Sequence, residues 1–192
     1  METLLQEPER IVSFDDEPLV LVDAEDHELG FLDKAAAHRG HGVLHRAFSL
    51  FIFNGKGELL IQQRASGKRL WPGYWSNTCC SHPRRGEGLD TAVYRRLDEE
   101  LGLKTRLEFL FKFQYQAQFD DDGAEHELCW VYAGRSDKAP RVNPNEIAAV
   151  RYLAPDALDA EMAARSEAFT PWFKIEWARI RREFPQCLRV EG

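Results

Sequence analysis

Residues 71–103 read WPGYWSNTCCSHPRRGEGLDTAVYRRLDEELGL. The first half carries Pro72, Gly73, Pro83 and Gly86, which makes it a loop rather than a long regular element. The second half places Leu89, Ala92, Val93, Leu97 and Leu101 at helical spacing with Gly102 as the stop, and predicts a helix over 89–101. Long ordered loops tend to carry function. This one brings a thiol and an imidazole two residues apart, Cys80 and His82, to the mouth of the helix.

Upstream, residues 46–54 (RAFSLFIFN) are dense in aromatic and branched side chains and read as a strand. GKG at 55–57 is a turn and ELLIQQR at 58–64 the returning strand, which predicts a hairpin. PLVLVD at 18–23 is a short strand, 24–30 a polar turn, and KAAAH at 34–38 one helical turn broken by Gly40 and Gly42. Downstream, 106–118 and 125–135 alternate around DDDG and predict a second hairpin. Residues 146–153 form another strand, and 156–164 and 171–184 form helices, the last with Pro in its first turn. The expectation is an α/β (α+β) fold: a mixed β-sheet core with hairpins, flanked by helices. Domain boundaries are expected as a flexible N-terminal arm over 1–17, one catalytic domain over 18–184 and a tail over 185–192.

The chain has 192 residues, 44% hydrophobic and 30% charged, enough for one substantial core. A net charge of −7 with interspersed signs argues against a nucleic-acid surface, which needs a basic stripe. No apolar run approaches a membrane span, and METLLQEPER lacks the features of a secretory signal. The four cysteines include the adjacent pair Cys79 and Cys80, a poor disulfide framework, so reduced thiols in a cytoplasm are expected.

On the helix, Arg95 and Glu99, and Arg96 and Glu100, are four apart and share a face. For an arbitrary helix such pairs are surface salt bridges of little consequence. Here they follow a loop bearing Cys and His. Glu87, Arg95, Glu99, Glu100 and Gly102 match most of the Nudix box, whose carboxylates hold Mg²⁺ on a diphosphate, a hard cation with oxygen ligands. Ser81 stands where a leading Gly is usual, and Arg96 where a Glu is expected. An Arg there pairs with phosphate oxygens or a neighbouring carboxylate instead of holding a catalytic metal. Elsewhere, His38 and His45 flank the break before the long strand. Glu125 and Glu127 lie at i and i+2 on a strand with His126 on the opposite face. Two like charges side by side are unfavourable unless solvent or a cation relieves them. His38, His45, His82, Glu125 and Glu127 together make an N/O ligand set suited to Zn²⁺, Mn²⁺ or Mg²⁺.

LHRAFSLFIFN, QQRASGKRLWPGYWSNTCCSHP, RRLDEELG, EHELC and TPWF together resemble type I isopentenyl-diphosphate isomerase, a Nudix-like fold, from about residue 20 to about 182. The resemblance implies that His38, His45, His82, Glu125 and Glu127 bind a divalent metal. It implies that Glu100, with the Cys80 carbonyl, binds a Mg²⁺ shared with diphosphate. Lys34, Arg64, Lys68 and Arg96 would hold the diphosphate. Cys80, the cysteine of Cys-x-His-Pro, and Glu127, with Tyr115 beside it, would carry the proton transfers. Trp172 would lie over the hydrocarbon end. Arg96 is usual in that family and Ser81 is tolerated. The implied partner is a small prenyl diphosphate, with no nucleic acid or membrane, on a monomer or weak homodimer. Two other readings stay open: a Nudix pyrophosphohydrolase of a nucleotide or prenyl diphosphate, which leaves Arg96, Cys80, Tyr115 and Trp172 unexplained, and a non-catalytic diphosphate- or metal-binding module.

Overall fold

The structure, a computed structural model, describes residues 10–121 and 123–189. Its strands are β1 (Pro18–Val22), β2 (Glu28–Asp33), β3 (His45–Phe53), β4 (Leu59–Arg64), β5 (Trp75–Ser76), β6 (Cys79–Ser81), β7 (Leu107–Asp120), β8 (Gly123–Arg135) and β9 (Ile147–Leu153). Its helices are α1 (Lys34–Ala37), α2 (Leu89–Leu101), α3 (Pro155–Ala164) and α4 (Pro171–Glu183). The strands form one mixed sheet centred on β3. Along one edge β3 runs parallel to β8 from His45↔Glu127 to Phe53↔Arg135. Its other edge is shared by β1 at Leu21↔His45, by β6 from Phe48↔Ser81 to Leu50↔Cys79, and by β4 at Phe53↔Leu59.

Alternation on β3 builds two cores. Phe48, Leu50 and Ile52 pack with Cys79 and with Ala92, Val93, Leu97 and Leu101 of α2. Ala47, Phe51 and Phe53 pack on the other face with Cys129 and Val131 of β8 and Phe173, Trp177 and Ile180 of α4. Each fully buried Leu, Ile or Phe contributes roughly 1.5–3 kcal/mol, so β3 anchors both layers. Helix α2 ends where Gly102 takes the left-handed conformation at φ 60°, and its N–H closes on the Asp98 carbonyl.

Two local expectations differ. The predicted hairpin of 46–54 and 58–64 pairs only at Phe53↔Leu59, after which β4 pairs with β9 over Leu59↔Leu153 to Arg64↔Ile147. Thr78 holds the two strands apart: its hydroxyl accepts from Ile52 N at 2.9 Å and donates to Leu60 O at 2.5 Å. The polar turn expected over 24–30 closes earlier. The Asp23 carboxylate accepts from Glu25 N at 3.0 Å and His27 N at 2.8 Å, which frees Glu28–Asp33 to pair with β1.

Of the arm expected over 1–17, residues 1–9 lie outside the described residues. Within 10–17, Val12 is buried, and its carbonyl accepts from Arg96 at 2.7 Å and Arg84 at 3.2 Å. Of the tail expected over 185–192, Pro185–Leu188 makes a short 3-10 turn and residues 190–192 lie outside the described residues.

One backbone crossing admits no side chain. A Cβ on Gly134 would lie 2.7 Å from the Arg106 carbonyl oxygen. That oxygen cannot rotate away, so Gly134→Ala is expected to destabilise the fold by about 1–3 kcal/mol, read as a lower urea midpoint at unchanged slope.

Candidate active site and metal centre

The parallel register places His45 beside Glu127, and alternation along β8 puts Glu125 and Glu127 on the same face. His38 caps the end of α1, and His82 follows β6, the strand paired to the middle of β3. Five side chains from four separate segments thus converge. Among the described residues, His38, His45, His82, Glu125 and Glu127 each offer a ligand atom, all within 4.8 Å of one another. His38 Nδ1 and His45 Nδ1 each donate to a backbone carbonyl, of Lys34 and Val43, both at 2.7 Å. A carbonyl only accepts, so both rings are Nδ1-protonated and turn the Nε2 lone pair into the cluster. There His38 Nε2, His45 Nε2 and Glu125 Oε2 are buried without a hydrogen bond. His38 Nε2 lies 2.8 Å from Glu125 Oε2, but the two are not aligned as donor and acceptor. Buried lone pairs aimed at a common centre fit a divalent cation with N/O ligands.

The electrostatics agree. Burial first, then His45 and His38, hold His82 well below the ordinary histidine value, so it is neutral and able to ligate. Burial opposes charge on Glu127, yet His45 and Tyr115 keep its carboxyl below the usual value. His38 is the exception: burial opposes its charge, but Glu125, then the Lys34 carbonyl and Glu127, raise its pKa, so a cation bound there would have to displace that proton. Glu127 Oε1 faces His82 Nε2 at 3.0 Å, and Oε2 accepts the Tyr115 hydroxyl at 2.7 Å.

A pocket of about 320 Å³ opens beside this group, lined among others by His38, His82, Glu125, Glu127, Cys80, Tyr115 and Trp172. Alternation on β6 separates the paired cysteines. Cys79 is fully buried in the α2 core, whereas Cys80 is partly exposed and lines the pocket. Burial pushes the Cys80 thiol up to about 12, with the Arg64 cation pulling the other way. Arg64 donates Nε to the Trp71 carbonyl at 3.1 Å and Nη2 to the Leu70 carbonyl at 2.9 Å, leaving Nη1 3.9 Å from Cys80 Sγ. Trp172 is fixed as α4 begins, its indole N–H donating to Ser76 Oγ at 3.1 Å. Trp71 crosses it edge-on with centroids 5.1 Å apart, and does so from a left-handed backbone with φ 49°.

The other end of the pocket is basic: Lys34, Lys68 and Arg96 line it with Glu146. Burial, then the Lys68 charge, pulls the Lys34 pKa down, with the Glu17 carboxylate pulling the other way. Arg96 is buried. It pairs with Glu100 and with Glu146, the latter at 3.2 Å, and donates to Ser13 Oγ at 3.3 Å. Glu100 is buried against Arg96 and is not one of the five clustered ligands, so an ion at Glu100 requires the guanidinium to move aside.

Glu146 was not singled out in the sequence. It pairs with Lys68 and Arg96, and although burial opposes charge, Lys68 and then Arg96 hold its carboxyl down to about 2. The available signal was NPNE at 143–146, a turn whose last residue is anchored by a 3.1 Å bond from Glu146 N to Asn143 O.

The NUDIX domain model matches residues 43–173. Isopentenyl-diphosphate Delta-isomerase 1 of Photorhabdus laumondii is 48% identical over 85% of this chain and 94% of its own length. Isopentenyl-diphosphate Delta-isomerase of Pectobacterium atrosepticum is 44% identical over 84% of this chain and 90% of its own. Among solved structures, DR0079 from Deinococcus radiodurans superposes with a TM-score of 0.72 at 27% identity, covering 86% of this chain and all of that one. With a domain model matching over most of the chain and relatives this similar along nearly their whole length, the chain belongs to the isopentenyl-diphosphate Delta-isomerase family of NUDIX-domain proteins.

Proposed function

We propose that this protein interconverts isopentenyl diphosphate and dimethylallyl diphosphate. The observation that carries the reading is the meeting, in one pocket, of Cys80, the Tyr115–Glu127 pair and the Trp172 ring with the Lys34, Lys68 and Arg96 cations. The cations bind the diphosphate and fix which way the five-carbon group points. Of Glu127 and Cys80, one adds a proton to the terminal alkene carbon and the other takes an allylic proton from the tertiary cation that forms next to it. One proton is added and one removed, so the substrate's composition is unchanged. An alkene is a very weak base, which is why its partners must be held in place, Glu127 by the Tyr115 hydrogen bond. The cation makes no hydrogen bonds and is stabilised by the π face of Trp172. Trp172 and Leu70 help keep out the water that would trap it.

His38, His45, His82, Glu125 and Glu127 would hold one divalent ion, Mn²⁺, Zn²⁺ or Mg²⁺, and Glu100 with the Cys80 carbonyl would hold a Mg²⁺ shared with the diphosphate. Such ions supply positive charge beside the Glu127 carboxyl and the phosphate oxygens. No helix among the described residues is long and apolar enough to cross a membrane. Four free cysteines suit a reducing cytoplasm.

Incubation with isopentenyl diphosphate and Mg²⁺ in deuterated water, followed by NMR, is expected to yield deuterated dimethylallyl diphosphate. Release of phosphate or pyrophosphate would instead make the protein a hydrolase, and unchanged bound substrate would make it a binding module.

A further inference from the structure

Glu176 stands on α4 one turn after Trp172, on the same helix face, and is completely buried. No step of the proposed reaction uses it. Its Oε1 lies 3.5 Å from Cys129 Sγ, which is itself 3.5 Å from Ser49 Oγ, and the Ser49 hydroxyl acts on the carboxyl electrostatically. Its Oε2 is buried with no partner among the described residues. Ser49 is the register partner of Cys80 between β3 and β6, so their side chains share a face. Cys129 is two residues along β8 from Glu127, on that same face. The carboxyl therefore rests on the two residues that flank the reacting pair, one beside the thiol and one beside the acid.

We propose that Glu176 is a positioning residue of the isomerisation that works as an uncharged acid. It braces Ser49 and Cys129 behind Cys80 and Glu127 and keeps a further negative charge off the face where these two exchange protons. The inference rests on the proposed isomerase reading. A buried carboxyl with an unpartnered oxygen is far cheaper neutral than ionised. Burial pushes this acid up to about 8; Ser49 and Cys129 pull weakly the other way, and the Glu127 charge adds to the rise. The titratable groups that face it are Cys129 and Glu127 from β8 and Cys80 from β6; β3 contributes only the Ser49 hydroxyl. Ionised, Glu176 would oppose negative charge on all three. Glutamine reproduces its shape and its neutral hydrogen bonding but cannot ionise.

The test compares metal-loaded wild type with Glu176→Gln by two readouts. In the first, kcat of the variant stays within about twofold of wild type at pH 7, and the variant-to-wild-type ratio rises to roughly tenfold at pH 9, where an acid of pKa near 8 is about nine-tenths ionised. KM is unaffected in either protein. In the second, infrared spectra of carbon-13-glutamate-labelled wild type without substrate show a protonated carboxyl band at pH 7. That band is absent from the variant and disappears with a midpoint near 8. Parallel pH profiles, a loss of kcat in Glu176→Gln that is equal at every pH, or absence of the band at pH 7 would each overturn the inference. A wild type that shows the band yet fails to isomerise would overturn the function on which the inference rests, and the substrate-free spectrum tells the two failures apart.

Discussion

Cys80→Ser and Glu127→Gln are each expected to lower turnover by about a hundredfold to ten-thousandfold, the range over which a positioned acid or base accelerates proton transfer. Cys79→Ser is expected to leave it nearly intact. Serine is a far weaker acid than cysteine, and its hydroxyl cannot take and return a proton at the same position with useful probability. Glutamine cannot carry the proton at all, although it keeps the hydrogen bond from Tyr115 that Glu127 accepts at 2.7 Å. Cys79 points the opposite way, into the core with Leu97 and Leu101. Its replacement buries a hydroxyl and costs about 1–3 kcal/mol of stability, a thermal-melt effect rather than a kinetic one. Product formation by NMR together with melting curves separates the two. Equal loss of turnover at Cys79 and Cys80 would remove the thiol from the reaction.

Divalent ions are expected to change both stability and turnover through the five clustered ligands. At a free ion concentration about a hundredfold above its Kd, binding to the native state alone adds about 2.7 kcal/mol. For a chain of this size that raises the melting temperature by roughly 5–10 °C. Chelation is expected to reverse the shift and to abolish turnover. His45→Ala should remove most of the shift, because His45 is fully buried and its Nδ1 is fixed on the Val43 carbonyl, so no neighbouring group can replace its Nε2. Calorimetric melts with Mn²⁺, Zn²⁺ or Mg²⁺ against chelator provide the check. An equal shift in wild type and His45→Ala would place the ion elsewhere.

The elements of the fold were legible because each one carries its own period. RAFSLFIFN alternates onto two cores, and Leu89, Ala92, Val93, Leu97 and Leu101 fall on one helix stripe. What local period cannot reveal is which strands pair. The hairpin predicted from GKG gives way to pairing of β4 with β9, because a threonine from a distant loop occupies the gap. Convergence of the histidines depends on the parallel register His45↔Glu127, which joins residues more than eighty positions apart. Residue types named the ligands as a set, and topology alone brings them within 4.8 Å. Glu146 and Glu176 escaped notice for a related reason. An isolated glutamate in a turn or helix reads as a solvated charge, and only the tertiary structure shows that one is clamped by Lys68 and Arg96 and the other is enclosed with Ser49 and Cys129.

The left-handed backbone at Trp71 is a strain that the fold more than offsets. A bulky side chain at φ 49° costs about 1–2 kcal/mol that glycine would not. The same residue supplies the ring against Trp172 and the carbonyl that holds Arg64. Glycine would relieve that strain but lose a ring buried in the core against Phe119 and Trp172, a loss of about 3–5 kcal/mol. Selection for heat resistance and selection for turnover therefore both keep the tryptophan. Libraries built to harden this enzyme should hold position 71 fixed and draw their stability from elsewhere in the fold.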